Sequence, residues 1–138
     1  MKKIIILFFF VIFGQIAKSQ DQKSIYLSVK KWNVGEYSSL SNKYLFDKER
    51  DVSGIISISS TNKVMKFTID LGGKEASVLT VYDVLPDTFV NGNRQMNFKA
   101  KDITNNAVTI TFVDKNDGTY SVYTYIEKTA VVFFCTPL

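Results

Sequence analysis

Asp114 and Asp117 stand close together in the stretch FVDKNDGTYSVY, with Asn116 and Thr119 supplying further oxygen atoms and Gly118 between them. Oxygen ligands at that density are what a hard cation such as calcium takes. Two more carboxylate pairs, Asp47/Glu49 and Asp83/Asp87, offer the acid and base that a glycosidase needs at a set separation. Neither chemistry fits the spacing in detail. Counted from Asp114 as the first ligand of an EF-hand loop, Asn116 meets the third position. Gly118, however, arrives at the fifth instead of the sixth, and Tyr125 stands where a bidentate glutamate belongs. A hairpin satisfies every residue: Asn116 and Asp117 at the centre of a type I turn, Gly118 in the left-handed position after them, and Lys115 opposite Thr119. All three carboxylate pairs lie in or beside such turns, where aspartate is favoured for local hydrogen bonding. The expectation is no metal site, no cofactor and no catalytic pair.

The residue types that are missing narrow the chemistry further. The chain has no histidine and one cysteine, which removes Ser-His and Cys-His nucleophiles, His-containing zinc sites and thiolate clusters. No catalytic motif is present, and an enzyme is not expected. Aromatics are the more suggestive set: Tyr26, Trp32, Tyr37, Tyr44, Tyr82, Tyr120, Tyr123 and Tyr125 each can bury a ring face and hydrogen-bond at the tip, Trp32 excepted in its use of an N–H. Trp32, the sole tryptophan, with Tyr26, Tyr82 and Tyr120, are the candidate ligand-binding residues. Tyr123, Tyr125, Thr109 and Thr111 form a candidate interaction face, because the hairpin places them on one side.

The hairpin register pairs Phe112 with Val122, Ile110 with Thr124 and Val108 with Ile126 on one face. Val113/Ser121, Thr111/Tyr123 and Thr109/Tyr125 fall on the other. The first set belongs in a core, and the second is a Thr/Tyr ladder that can stay partly wet. A slip of one residue would mix the two.

Similar alternation runs through the rest of the chain. Segments 24–32, 54–60, 63–71, 75–84, 94–101, 107–114, 119–128 and 130–135 read as about eight strands, separated by Asn-, Gly- and Ser-rich turns too short for parallel crossovers. In 63–71, Met65, Phe67, Ile69 and Leu71 point inward. Whether Phe67 meets Val78 or Leu79 in the next strand depends on the length of the Gly72-Gly73 turn, and both faces of 75–84 are partly apolar. Residues 36–46 offer a short helix, with Ser38, Ser39 or Ser41 as cap and Tyr37, Leu40 and Tyr44 on one side. The fold class is therefore all-β: an antiparallel meander, closed as a barrel or packed as a β-sandwich.

At the start of the chain, Lys2-Lys3, an apolar run from Ile4 to Phe13, and Ala17 and Ser19 read as a signal peptide over residues 1–19, with Gln20 as the mature N-terminus. The apolar run is shorter than the roughly 20 residues that cross a bilayer, so no membrane insertion is expected after cleavage. The signal takes three of the 17 basic residues with it and leaves them within one of the 13 acidic ones, which argues against a nucleic-acid partner. Residues 20–138 suit a single domain, expected to be a monomer in the periplasm or outside the cell. Cys135, in AVVFFC beside Val131 and Phe133, reads as a small buried hydrophobe.

With a glutamine after the cleavage site and a last strand ending in cysteine, the chain resembles the short exported β-proteins common in Bacteroidota. At the level of fold, an eight-stranded meander of this length is similar to lipocalin-like barrels. The leading expectation is a secreted, non-enzymatic binding module that holds a small apolar or amphipathic ligand in its interior or at an open end. The other reading is a protein-interaction or inhibitor domain that uses the Thr/Tyr face or a sheet edge.

Overall fold

The computed structural model describes residues 23–73 and 76–138; the signal segment 1–19 and Gln20 lie outside the described residues. Ten strands succeed one another: β1 (Lys23–Ser38), β2 (Lys43–Phe46), β3 (Arg50–Thr61), β4 (Val64–Asp70) and β5 (Ser77–Val84), then β6 (Thr88–Val90), β7 (Asn93–Lys101), β8 (Ala107–Asp114), β9 (Tyr120–Ile126) and β10 (Thr129–Pro137). Every pairing is antiparallel, in the order β1-β3-β4-β5-β7-β8-β9-β10, and β10 returns to β1. The sheet is thus a closed eight-stranded barrel of the lipocalin-like kind, not a sandwich. The two extra strands attach at its ends, β2 to β1 and β6 to β7.

Alternation decides which side chains fill it. Ile25, Leu27 and Val29 from β1, Ile56 and Ile58 from β3, and Met65, Phe67 and Ile69 from β4 are all buried in one core with Phe98, Ile110, Phe112, Tyr120 and Val122. Leu71 packs against that core from its edge. Phe67 pairs with Leu79, the register of the longer turn. The turns use asparagine where the backbone must take positive φ, at Asn42, Asn62, Asn91, Asn105 and Asn116.

The β8–β9 hairpin has the expected register: Phe112 opposite Val122, Ile110 opposite Thr124, Thr111 opposite Tyr123 and Thr109 opposite Tyr125. Lys115 N–H donates to the Thr119 carbonyl at 3.2 Å, and Gly118 has φ 85°. The turn type is different from expectation. Asn116 has φ 71°, outside the type I region, because the Asp114 carboxylate accepts its N–H at 3.0 Å and its own amide reaches the Gly92 carbonyl at 3.0 Å.

The short helix expected over 36–46 is absent; the segment is a strand, a turn and a second strand. Tyr37 pairs with Tyr44 and Ser38 with Lys43, so the tyrosines that would share a helix face meet across a hairpin, 5.4 Å apart edge to face. Ser38 still accepts a hydrogen bond from Ser41 N–H at 3.4 Å, but it serves a turn and not a cap. β2 in turn explains why the second face of β8 and β9 is drier than expected. Tyr125, Ala130, Gly35 and Phe46 form one row across β9, β10, β1 and β2. The two central residues are small, and rings from either side close over them: Tyr44 lies 5.4 Å from Tyr125 and Phe46 6.4 Å from Tyr123. A Cβ at Gly35 would come within 2.7 Å of the Phe46 ring, so only glycine permits that approach.

β1 contains one irregularity. Val29 pairs with Cys135 and Lys31 with Phe134, which leaves Lys30 as an extra residue in a bulge. Inward positions before the bulge are odd-numbered. After it Trp32 takes the inward side and packs against the core.

Candidate functional site

The inward residues next to the β4–β5, β7–β8 and β9–β10 turns do not fill the barrel. They leave a recess of about 280 Å³, bordered by Ile69, Leu71, Leu79, Val108, Ile126, Val131 and Phe133, with Gly73, Ser77, Asp102 and Thr124 completing it. Leu79 carries the recess down to the packed middle of the barrel, where its cross-strand partner Phe67 stands 5.5 Å from Phe98. Ile126, expected on the core face opposite Val108, sits at the rim and is 41% exposed.

The polar groups of the recess are mostly committed. Asp102 accepts Asn106 N–H, Thr104 N–H and the Thr104 hydroxyl, all at 2.9 Å, on one oxygen and the Asn106 amide at 3.2 Å on the other. These bonds, the Asn106 N–H first, hold its carboxyl below the usual carboxylate range against a partial desolvation cost. Its charge therefore braces the β7–β8 turn. Thr124 donates to the Val131 carbonyl at 3.4 Å, a long bond within its own hairpin. Ser77, exposed at the mouth, is the remaining side-chain donor. The arrangement can hold an apolar group.

The four candidate ligand-binding residues do not converge. Trp32 stands opposite Phe133 in the β1–β10 register, beside the recess, with the Arg50 guanidinium 5.2 Å from its ring centroid. Tyr120 is 2% exposed at the other end of the barrel, its ring 5.4 Å from Phe112, and burial and then the Asp114 charge push its hydroxyl pKa up. Tyr26 is 52% exposed, and Tyr82 is 58% exposed with Lys101 Nζ 5.7 Å from its ring. The candidate interaction face is largely used internally. Tyr123 and Tyr125 stack nearly parallel, 6.1 Å apart, under contact from Phe46 and Tyr44. Burial raises Tyr123, and burial with its tyrosine neighbours carries Tyr125 to about 12. Thr111 is buried and donates to Asn97 at 3.0 Å, and Thr109 is exposed.

Most members of the carboxylate pairs have partners of their own. Asp117 accepts the Thr119 N–H at 2.9 Å and its hydroxyl, which lowers its pKa. Asp114 is fully buried, and one of its oxygens has no partner. Asp87 binds Arg94, Asp47 lies 3.8 Å from Arg50, and Glu49 lies 3.9 Å from Lys31. Cys135 is 2% exposed and its thiol meets the Phe133 carbonyl at 3.6 Å; burial pushes it up to about 12.

Sequence reasoning missed the recess itself. Its signal was the modest size of inward residues near the turns, Ser77, Val108, Thr124 and Val131, against the rings used elsewhere inside. Among known proteins, the chain matches no family model, no curated protein and no solved structure.

Proposed function

We propose that this is an exported, non-enzymatic binding module that holds a small apolar group, or the apolar end of an amphipathic molecule, in the open end of its barrel. One observation carries the reading: an apolar recess of about 280 Å³ in the mouth of a closed barrel, a place where such folds take ligands. Its size is just under the roughly 300 Å³ at which ligand pockets usually begin, so the guest is one ring or a short chain rather than a sterol. With Asp102 committed to its turn, a neutral guest is favoured over a cation. The engagement of Tyr123 and Tyr125 by β2 supports this reading over a docking role for that face.

Trp32, opposite Phe133, supplies the test. In a panel of short-chain alcohols, monocyclic aromatics and fatty acids, a fitting compound shifts Trp32 fluorescence saturably. Ser77→Phe, at an exposed position on the rim, blocks the response without lowering the melting temperature. If no compound saturates, or if Ser77→Phe binds as well as wild type, the recess is not the site.

A further inference from the structure

The bulge in β1 also acts on the outer surface. Val29 and Trp32 both face the core, so Lys30 and Lys31 between them point outward side by side, which neighbours in an unbroken strand do not do. Lys115, from the β8–β9 turn, joins them. The three lysines line one cleft of about 210 Å³ together with Thr119, Thr136 and the Phe134 ring. Lys115 Nζ lies 4.9 Å from the centroid of that ring.

Nearby carboxylates neutralise this group only in part. Glu49 approaches Lys31 at 3.9 Å with both side chains about half exposed, a geometry worth little in water. Asp117 is occupied by Thr119, whose hydroxyl it takes out of use, and Asp114 is buried. Asp117 acts on Lys115 through its charge, and among the described residues Lys30 forms no ion pair with a carboxylate. Across residues 20–138 basic and acidic residues nearly cancel, so the positive field belongs to this cleft and not to the surface as a whole.

We infer that the cleft binds a small tetrahedral oxyanion, a phosphate or sulfate monoester with a flat or apolar organic group. The lysines act as point charges and donors, Thr136 supplies a neutral hydroxyl, and the Phe134 ring is the surface against which the organic group lies. The volume fits one such group.

The test is titration of the full-length exported protein with phenyl phosphate, monitored by amide chemical shifts. Saturable shifts confined to Lys30, Lys31, Lys115, Phe134 and Thr136, weakened by added salt, are expected. Lys115→Gln weakens binding about tenfold, the scale of one charge-assisted hydrogen bond. Lys128→Gln, at an exposed lysine outside the cleft, leaves it unchanged. Phe134→Leu weakens phenyl phosphate but not inorganic phosphate. Shifts that never saturate, or an equal loss in Lys128→Gln, overturn the site. A lipid headgroup carries the same chemistry: capture on phosphatidic acid vesicles without any binding of phenyl phosphate overturns the small-molecule assignment.

Discussion

The two ends of the barrel are built by the same strands with opposite results. At the β8–β9 turn, the inward residues are Phe112, Tyr120 and Met96, all buried, and Arg94 paired with Asp87 stands opposite Asp114 in register. At the far ends of β8 and β9 the inward residues are Val108 and Thr124, and the 280 Å³ recess opens. Eight strands set a nearly fixed diameter, so the backbone does not distinguish the ends; ring against aliphatic side chain does. The recess is a place where the alternation continues but the side-chain volume does not.

Cavity-forming substitutions should separate the ends most strongly. Phe112→Ala removes a ring from a filled layer and is expected to cost about 3–5 kcal/mol in denaturant unfolding. Val108→Ala, beside space that already exists, is expected to cost about 1 kcal/mol. Similar losses at the two positions would mean that the recess is no emptier than the closed end.

Alkaline unfolding probes two groups that burial keeps neutral, Cys135 on β10 and Tyr125 under β2. Cys135, normally near 9.0, and Tyr125, normally near 10.0, are each raised to about 12 in the folded chain. A raised folded pKa means the folded state holds its proton more tightly than the unfolded one. That contribution is fully present below about pH 9 and is lost as pH climbs toward 12. Stability should therefore be flat through neutral pH and fall above it, with a shallower fall in Cys135→Ala. In the native state the thiol should react slowly with thiol reagents at pH 8 and quickly after denaturation.

Smaller effects belong to the turns and the rim. Gly118→Val forces a branched side chain to φ 85° and is expected to destabilise by about 1–2 kcal/mol. Ser77→Phe, which fills the open end from an exposed position, is expected to change stability by less than about 0.5 kcal/mol while abolishing ligand response. A large stability loss there would show that Ser77 supports the rim instead of merely bordering the recess.

Much of the barrel was legible. Period-two alternation located the eight barrel strands, and the Asn116-Asp117-Gly118 turn set the β8–β9 register, because one face of that hairpin is apolar enough to penalise any slip. Where both faces are mixed, as in β5, pattern alone left two registers, and cross-strand packing of Phe67 on Leu79 chose one. β2 escaped because KYLF is short and its neighbours Ser38, Ser39 and Ser41 suit a cap as well as a turn. The candidate site was less visible. Rings were sought as ligand contacts, yet Tyr120 is core, Tyr123 and Tyr125 are held by β2, and the recess is lined mainly by aliphatic side chains with a few small residues among them.

Local chemistry was enough to determine an all-β meander, most of its turn positions and the exclusion of histidine-dependent nucleophiles and thiolate clusters, since these depend on residue type and on neighbours within a hairpin. Closure depended on partners more than 90 positions apart, β1 with β10, and no local pattern encodes that contact. The inward swing of Trp32 and the outward pairing of Lys30 with Lys31 were likewise decided only in three dimensions. A single bulged residue reverses the phase of every position after it, and the shift falls at the same place in the pairing of β1 with β3 and with β10.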